Sequence, residues 1–193
     1  MKKVLFINAC VRSNSRTLEL AKFYFEKLKQ KENVEITEIK VFNLNLLPLT
    51  EKTLLERNID IENADFSKNE YNYARLFASV DLIVIASPYW DSSFPACLKV
   101  FIEHICVNTL TFEYDKNAKP TKKCKAEKLI YITTAGGFIP KRPSILAQLK
   151  ELCFMFGIKK VKFYASTKLD ILPQKCESLL DKTKAKIKKG ERL

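Results

Sequence analysis

Three near-continuous apolar runs of strand length constrain this chain more than any other feature. They are "VLFIN" (4–8), "DLIVIASP" (81–88) and "KLIYITTA" (128–135). A strand that is apolar on both faces belongs in a parallel sheet covered by helices on both sides. Two further β-rich segments, "VEITEIKVFNL" (34–44) and "VKFYAS" (161–166), bring the expected strands to five. Helical patterns lie between them. Leu18, Ala21, Phe25 and Leu28 recur at three- and four-residue spacing, and further helices are expected over 68–79, from Pro95 through "PACLKVFIEHI", and over 144–156 between Pro143 and Gly157. Pro95 is read as the first helical residue. Residues 45–67 show weak periodicity and read as an excursion over the surface. Alternation of this kind predicts a doubly wound α/β fold, one domain over residues 1–193, with parallel strands and helices on both faces.

In such sheets ligands sit at the carboxyl ends of the strands, where the strand order reverses. The segments just after strands one, three and four therefore carry the functional information. The first, "ACVRSNSRT" (9–17), turns a strand into a helix with two arginines and three hydroxyls but no glycine. The first amide N–H groups of a helix are unpaired and its dipole is positive there, so a phosphate fits. Ser13, Ser15 and Thr17 supply hydroxyls, and Arg12 and Arg16 supply charge. Simple capping by Asn14 or Ser15 would need only one of these groups. The surplus favours a terminal phosphate monoester held without a metal.

The second segment, "SPYWDSSFP" (87–95), places Tyr89 and the only tryptophan, Trp90, directly after strand three, with Pro88 and Pro95 bracketing the turn. Aromatics at that edge can wall a flat ring system, although core packing would use the same residues. The third, "TTAGGF" (133–138), offers Gly136-Gly137, where backbone can approach a ligand or simply make a tight turn. Together the three describe a phosphate cradle beside a planar pocket, the shape of flavin mononucleotide.

Composition removes several alternatives. With only four glycines, at 136, 137, 157 and 190, neither a Gly-x-Gly-x-x-Gly turn nor a P-loop exists. One histidine, His104, and six cysteines without a Cys-x-x-Cys pair argue against a metal site and against a Ser-His-Asp hydrolase. The cysteines read as small core residues kept reduced. No apolar run approaches the roughly 20 residues of a membrane span. The start, Met-Lys-Lys followed by a strand, lacks a signal-peptide pattern, which points to the cytoplasm. The net charge is +12, and residues 159–193 contribute +7 of it. That tail reads as a solvated helix face. Binding of nucleic acid or an anionic surface is the minor reading, since no aromatic interleaving supports it.

On these segments the sequence resembles the flavodoxin-like FMN-dependent NAD(P)H oxidoreductases, nearest to NADH-azoreductases and quinone reductases. The resemblance is carried by "KVLFINACVRSNSRTLEL", by "ASPYWDSSFPACLKVFIEH" with "TLTFEYD" (109–115), and by "ITTAGGF". Pro88, Trp90, Leu98, Lys99, Thr111, Phe112 and Tyr114 stand at the family's motif positions. The resemblance implies strand order 2-1-3-4-5. It places Ser15, Arg16 and Thr17 at the flavin phosphate, with Arg12 and Ser13 beside them. Cys10 takes the position of a phosphate-loop serine. Pro88, Tyr89, Trp90, Asp91 and Ser92 lie along the isoalloxazine, and Thr134, Ala135, Gly136 and Gly137 lie near its pyrimidine side. Asp91 replaces a usual asparagine and Ser92 a usual aromatic, which implies a wider and more polar pocket.

The implied activity is ping-pong transfer of two electrons from NADH or NADPH, through FMN, to a small-molecule acceptor such as a quinone, azo or nitro compound. The cofactor carries that chemistry, so no catalytic side chain is required. The family's homodimeric habit is also implied, with Phe112 and Tyr114 either reaching a partner's pocket or packing locally. The main alternative is a flavodoxin-like FMN electron carrier without NAD(P)H turnover, which the basic charge disfavours. A receiver-type signalling domain would need acids at the end of strand one, where Asn8-Ala9 stand. A basic-tailed binding protein is the remaining alternative.

Overall fold

The computed structural model describes residues 1–190. Five parallel strands form one sheet: β1 (Lys2–Asn8), β2 (Val34–Lys40), β3 (Leu82–Ala86), β4 (Lys128–Thr134) and β5 (Lys160–Ser166), in the order β2-β1-β3-β4-β5. This is the order expected for a flavodoxin-like fold, and it reverses between β1 and β3. Register keeps the strand ends level, with Asn8 opposite Ala86 and Ala86 opposite Ile132. The loops after β1, β3, β4 and β5 therefore emerge along one edge.

Six helices connect and cover the sheet: α1 (Arg16–Lys29), α2 (Glu51–Glu62), α3 (Asn72–Ser79), α4 (Ala96–Ile105), α5 (Ser144–Met155) and α6 (Cys176–Gly190). Alternate residues of each central strand feed two cores. Val4, Phe6, Val84 and Ile130 pack with Leu20 and Tyr24 of α1 and Leu180 and Ile187 of α6. Leu5, Ile7, Ile83, Ile85 and Tyr131 pack with Phe77 of α3, Leu98 and Phe101 of α4, and Leu149 of α5. Burial of β3 and β4 on both faces explains their unbroken apolar runs. The basic tail is an amphipathic helix: Leu180, Thr183 and Ile187 of α6 are buried while Lys182, Lys186 and Lys189 face solvent. Cys10, Cys124 and Cys153 are buried and all six cysteines are free thiols.

The structure differs from the sequence reading in four places. The segment 45–67 contains α2, opened by a Thr50–Thr53 capping box. Asp60 is its only buried residue, and Leu54, Leu55 and Ile59 face outward. Only Ile61 of its apolar residues packs against the core, and a single contact produces no inward stripe to read. Strand β2 stops at Lys40, because Val41–Asn43 forms a 3-10 turn. A second 3-10 turn, Asn69–Tyr71, delays α3 to Asn72. Pro95 caps α4 instead of occupying its first turn, so Ala96 is the first helical residue.

Thr111 shows why a hydroxyl stands in the "TLTFEYD" segment. It is fully buried, donates to the Ile105 carbonyl at 2.7 Å and accepts the Val107 N–H at 3.0 Å. Those bonds tie the end of α4 to the next turn. Thr111→Val keeps the shape but removes both side-chain bonds, leaving the Ile105 carbonyl and the Val107 N–H only their mutual bond of 3.0 Å, and it is expected to cost about 1 kcal/mol in urea unfolding. No loss would mean that the knot contributes nothing to stability.

Candidate functional site

The end of β1 is shaped by Asn8. Its side-chain oxygen accepts the Cys10 N–H at 2.9 Å while its amide donates to Glu38 at 2.7 Å. The chain thereby turns out of the sheet and feeds α1, where Ser15 is the N-cap and accepts the Leu18 N–H at 3.2 Å. One residue performs the capping, as expected of the simpler reading. The amides of Arg16 and Thr17 have no acceptor among the described residues. They present two donors at the positive end of a helix of 14 residues.

Thr17 fixes that helix end to the sheet. Its hydroxyl lies 2.6 Å from the Thr134 hydroxyl at the end of β4, and both residues are buried. Arg16 points the other way and pairs with Asp170 at 2.6 Å. The carboxylate raises the Arg16 pKa further, so its positive charge is permanent. Cys10 is buried, its Sγ 3.6 Å from the Ala86 carbonyl, and burial pushes its thiol up to about 11. At neutral pH it is an uncharged wall residue, not a nucleophile.

After β3, the Tyr89 N–H donates to the Thr134 carbonyl at 2.9 Å. Trp90 and Ser93 then exchange two backbone hydrogen bonds of 2.9 and 2.7 Å around Asp91 and Ser92, whose φ values are +49° and +62°. Two positive φ values in a two-residue connection make a type I′ turn, which ordinarily favours asparagine and glycine. Here it is built from an aspartate and a serine, at a cost of roughly 1–2 kcal/mol per residue. The turn holds Trp90, 39% exposed, at the mouth of the crevice.

After β4, the Gly136 carbonyl accepts the Asp170 and Ile171 N–H groups at 3.0 and 3.3 Å. The Gly137 carbonyl accepts the Lys168 N–H and the Thr167 hydroxyl at 2.6 and 2.7 Å. The N–H groups of both glycines have no partner among the described residues. A Cβ on Gly136 would lie 2.0 Å from an Asp170 carboxylate oxygen, so a side chain there would push that carboxylate aside.

These loops enclose a pocket of about 390 Å³, within the ~300–1,000 Å³ range of ligand sites. From the first loop it is lined by Cys10, Arg12, Ser15, Arg16 and Thr17. The second contributes Pro88, Tyr89 and Trp90, and the third contributes Thr134, Ala135 and Gly136. Ser13, Asp91, Ser92 and Gly137 stand outside the lining, on the supporting turns. Asp91 and Ser92 thus act on the pocket through the turn they form.

Val11, Leu169 and Asp170 also line the pocket and were not singled out by sequence, and Asn14, named there only as a candidate cap, lines it too. Val11 and Asn14 lie inside the segment already marked. Leu169 and Asp170 belong to the loop after β5, which folds back over Gly136. The signal available was the level register of β4 with β5, which carries the fifth strand's end to the same edge. His104 lies in the last turn of α4, with Nε2 2.8 Å from the Leu47 carbonyl, and does not line the pocket. Phe112 and Tyr114 pack edge to face at 6.2 Å, also outside it.

One end of the pocket thus offers unpaired helix amides and guanidinium groups, which suits a phosphate monoester. Tyr89 and Trp90 flank the other part, where a planar ring fits. With the unpaired Gly136 amide, the crevice has the donors and shape that suit a phosphorylated flavin such as FMN.

Comparison with known proteins agrees with this architecture. A family profile described as flavodoxin-like fold matches residues 2–190. An FMN-dependent NADH:quinone oxidoreductase of Clostridium acetobutylicum is 30% identical over 196 residues, covering 97% of each chain. Among solved structures, an azoreductase from Bacillus anthracis superposes with TM-score 0.81 at 17% identity, covering 98% of each chain. An FMN-dependent NADH-azoreductase from the same species, determined in complex with FMN, gives TM-score 0.78 at 17% identity, with 98% of this chain and 99% of that one covered. The chain belongs to the flavodoxin-like family that contains the FMN-dependent NADH:quinone oxidoreductases.

Proposed function

We propose that this protein is an oxidoreductase that holds FMN in the pocket at the β1/β3 edge and moves two electrons from NADH or NADPH to a quinone, azo or nitro compound by a ping-pong sequence. The observation that carries this reading is the pair of unpaired amides on Arg16 and Thr17, set beside Arg16's own charge and across from Tyr89 and Trp90. The names of the relatives support NADH as donor and a quinone as acceptor.

FMN, when bound, supplies the two-electron relay between donor and acceptor. The chain's own residues do the rest. The Arg16 and Thr17 amides and the Ser15 and Thr17 hydroxyls hold the phosphate oxygens, and Arg12 adds charge. Pro88 and Ala135 would present apolar surface to the ring, Trp90 would flank it at the pocket mouth, and Cys10 would wall the phosphate end. The Gly136 N–H, lacking a carbonyl partner, is placed to stabilise negative charge on a polar ring edge. No histidine and no glutamate lines the pocket, so no side chain is assigned a proton.

Initial rates measured against NADH at several fixed menadione concentrations test the sequence of steps. Parallel double-reciprocal lines are expected; intersecting lines would overturn the ping-pong order. If FMN binds but neither NADH nor NADPH sustains turnover, the electron-carrier reading replaces this one.

A homodimer is proposed with it. Leu47, Leu55 and Ile59 are 76%, 57% and 57% exposed on and beside α2, although the chain's other large apolar residues are mostly interior. Surface of that kind marks an association face. Light scattering should give twice the chain mass of 22.3 kDa. Leu55→Glu combined with Ile59→Glu should give the monomer with an unchanged circular dichroism spectrum. A wild-type monomer at micromolar concentration would rule the dimer out.

A further inference from the structure

The carboxylate of Asp170 stands where an anion-binding pocket would be expected to hold only positive charge. It lines the phosphate end of the pocket and pairs with Arg16 at 2.6 Å. The pair is solvent-accessible, with the two side chains 43% and 69% exposed, so it is not there to neutralise a buried charge. Asp170 lies directly over Gly136, close enough that its oxygen takes the space of a Gly136 side chain.

The backbone beneath this carboxylate is fastened. Lys168 and Leu169 donate to the Gly137 and Ala135 carbonyls at 2.6 and 3.2 Å, and Asp170 donates to Gly136 at 3.0 Å. The Thr167 hydroxyl adds a bond of 2.7 Å to Gly137 and accepts the Ile139 N–H at 2.9 Å. The loop cannot carry the charge away without breaking this series of bonds. Only side-chain rotation is open to Asp170, and rotation leaves the carboxylate within a few ångströms of the pocket. A phosphate arriving at the α1 N-terminus must therefore either share Arg16 with a neighbouring negative charge or displace it.

From this geometry we infer that Asp170 is an internal competitor for Arg16, which occupies the guanidinium when no phosphate is present and weakens retention of phosphorylated flavin. The inference rests on the FMN reading above and deepens it: the residue sets how firmly the site holds a monoester dianion, and so how readily the cofactor exchanges. An orienting role, in which Asp170 holds Arg16 ready for the phosphate, predicts the opposite sign on mutation. The competitor role is favoured because the carboxylate and the phosphate present the same acceptor chemistry to one guanidinium, on the same side of Gly136.

The test is equilibrium binding of FMN and of riboflavin, followed by quenching of flavin fluorescence, for the wild type, Asp170→Asn, Arg16→Gln and the double variant. Asp170→Asn keeps the side chain's shape over Gly136 and removes its charge. It is expected to tighten FMN by about threefold to fivefold, the upper range for loss of one exposed charge pair, and to leave riboflavin affinity unchanged. In the Arg16→Gln background the same substitution should change FMN affinity less than twofold in this scheme, because there is no guanidinium to release. Weaker FMN binding by Asp170→Asn would overturn the proposal in favour of the orienting role. An equal gain for riboflavin, or no change for FMN, would overturn it as well. If the wild type binds neither flavin, the failure lies with the FMN reading itself.

Discussion

The hydroxyl-to-hydroxyl contact between Thr17 and Thr134, 2.6 Å long and buried, is the joint on which the site depends. It docks the first turn of α1 onto the end of β4, across the strands that lie between them in sequence. Together with the packing of Leu20 and Tyr24 on Ile130, it fixes the unpaired amides of Arg16 and Thr17 relative to the glycines after β4. With it, the positive end of α1 and the Gly136 amide face one crevice. The order reversal between β1 and β3 opens that crevice, and the level strand ends bring four loops to its rim. Fold and cradle thus meet at this contact, beside the Tyr89–Thr134 backbone bond and the Arg16–Asp170 pair.

The remaining loops are braced in proportion to what they hold. The turn carrying Trp90 spends two positive-φ positions on residues other than glycine, a local cost of roughly 1–2 kcal/mol each that surrounding bonds must offset. Tyr89 bonded to Thr134, and Trp90 bonded twice to Ser93, supply that restraint. The loop after β5 is bound to the loop after β4 along its length. Its carboxylate, on Asp170, meets Arg16. The site combines rigid backbone donors with a single exposed ion pair, so binding there is tuned by side-chain electrostatics and not by loop opening.

Much of this was legible from residue pattern. The apolar runs of β3 and β4 reported burial on both faces, and the hydroxyl-rich turn after β1 reported a helix end with more donors than capping requires. Other features were hidden for physical reasons. The α2 helix turns Leu54, Leu55 and Ile59 to solvent and packs only Ile61 of its apolar residues on the core, so no periodic inward stripe marks it. Asp170 follows β5 by four residues, and its place in the site comes from long-range pairing that no local pattern records. Asp91 and Ser92 were placed, by resemblance, in a loop that acts largely through backbone groups, and in the structure they form the two-residue turn after Trp90. Residues 191–193, at the end of the basic tail, lie outside the described structure.

The central claim is that this pocket presents FMN to a nicotinamide donor. Its most direct test is the anaerobic visible spectrum of the FMN-reconstituted protein, recorded before and after one equivalent of NADH. The account predicts a yellow protein whose absorbance near the flavin maximum bleaches on addition of NADH and returns when a quinone is added. A protein that takes up no flavin, or one whose bound flavin neither NADH nor NADPH bleaches, would contradict it.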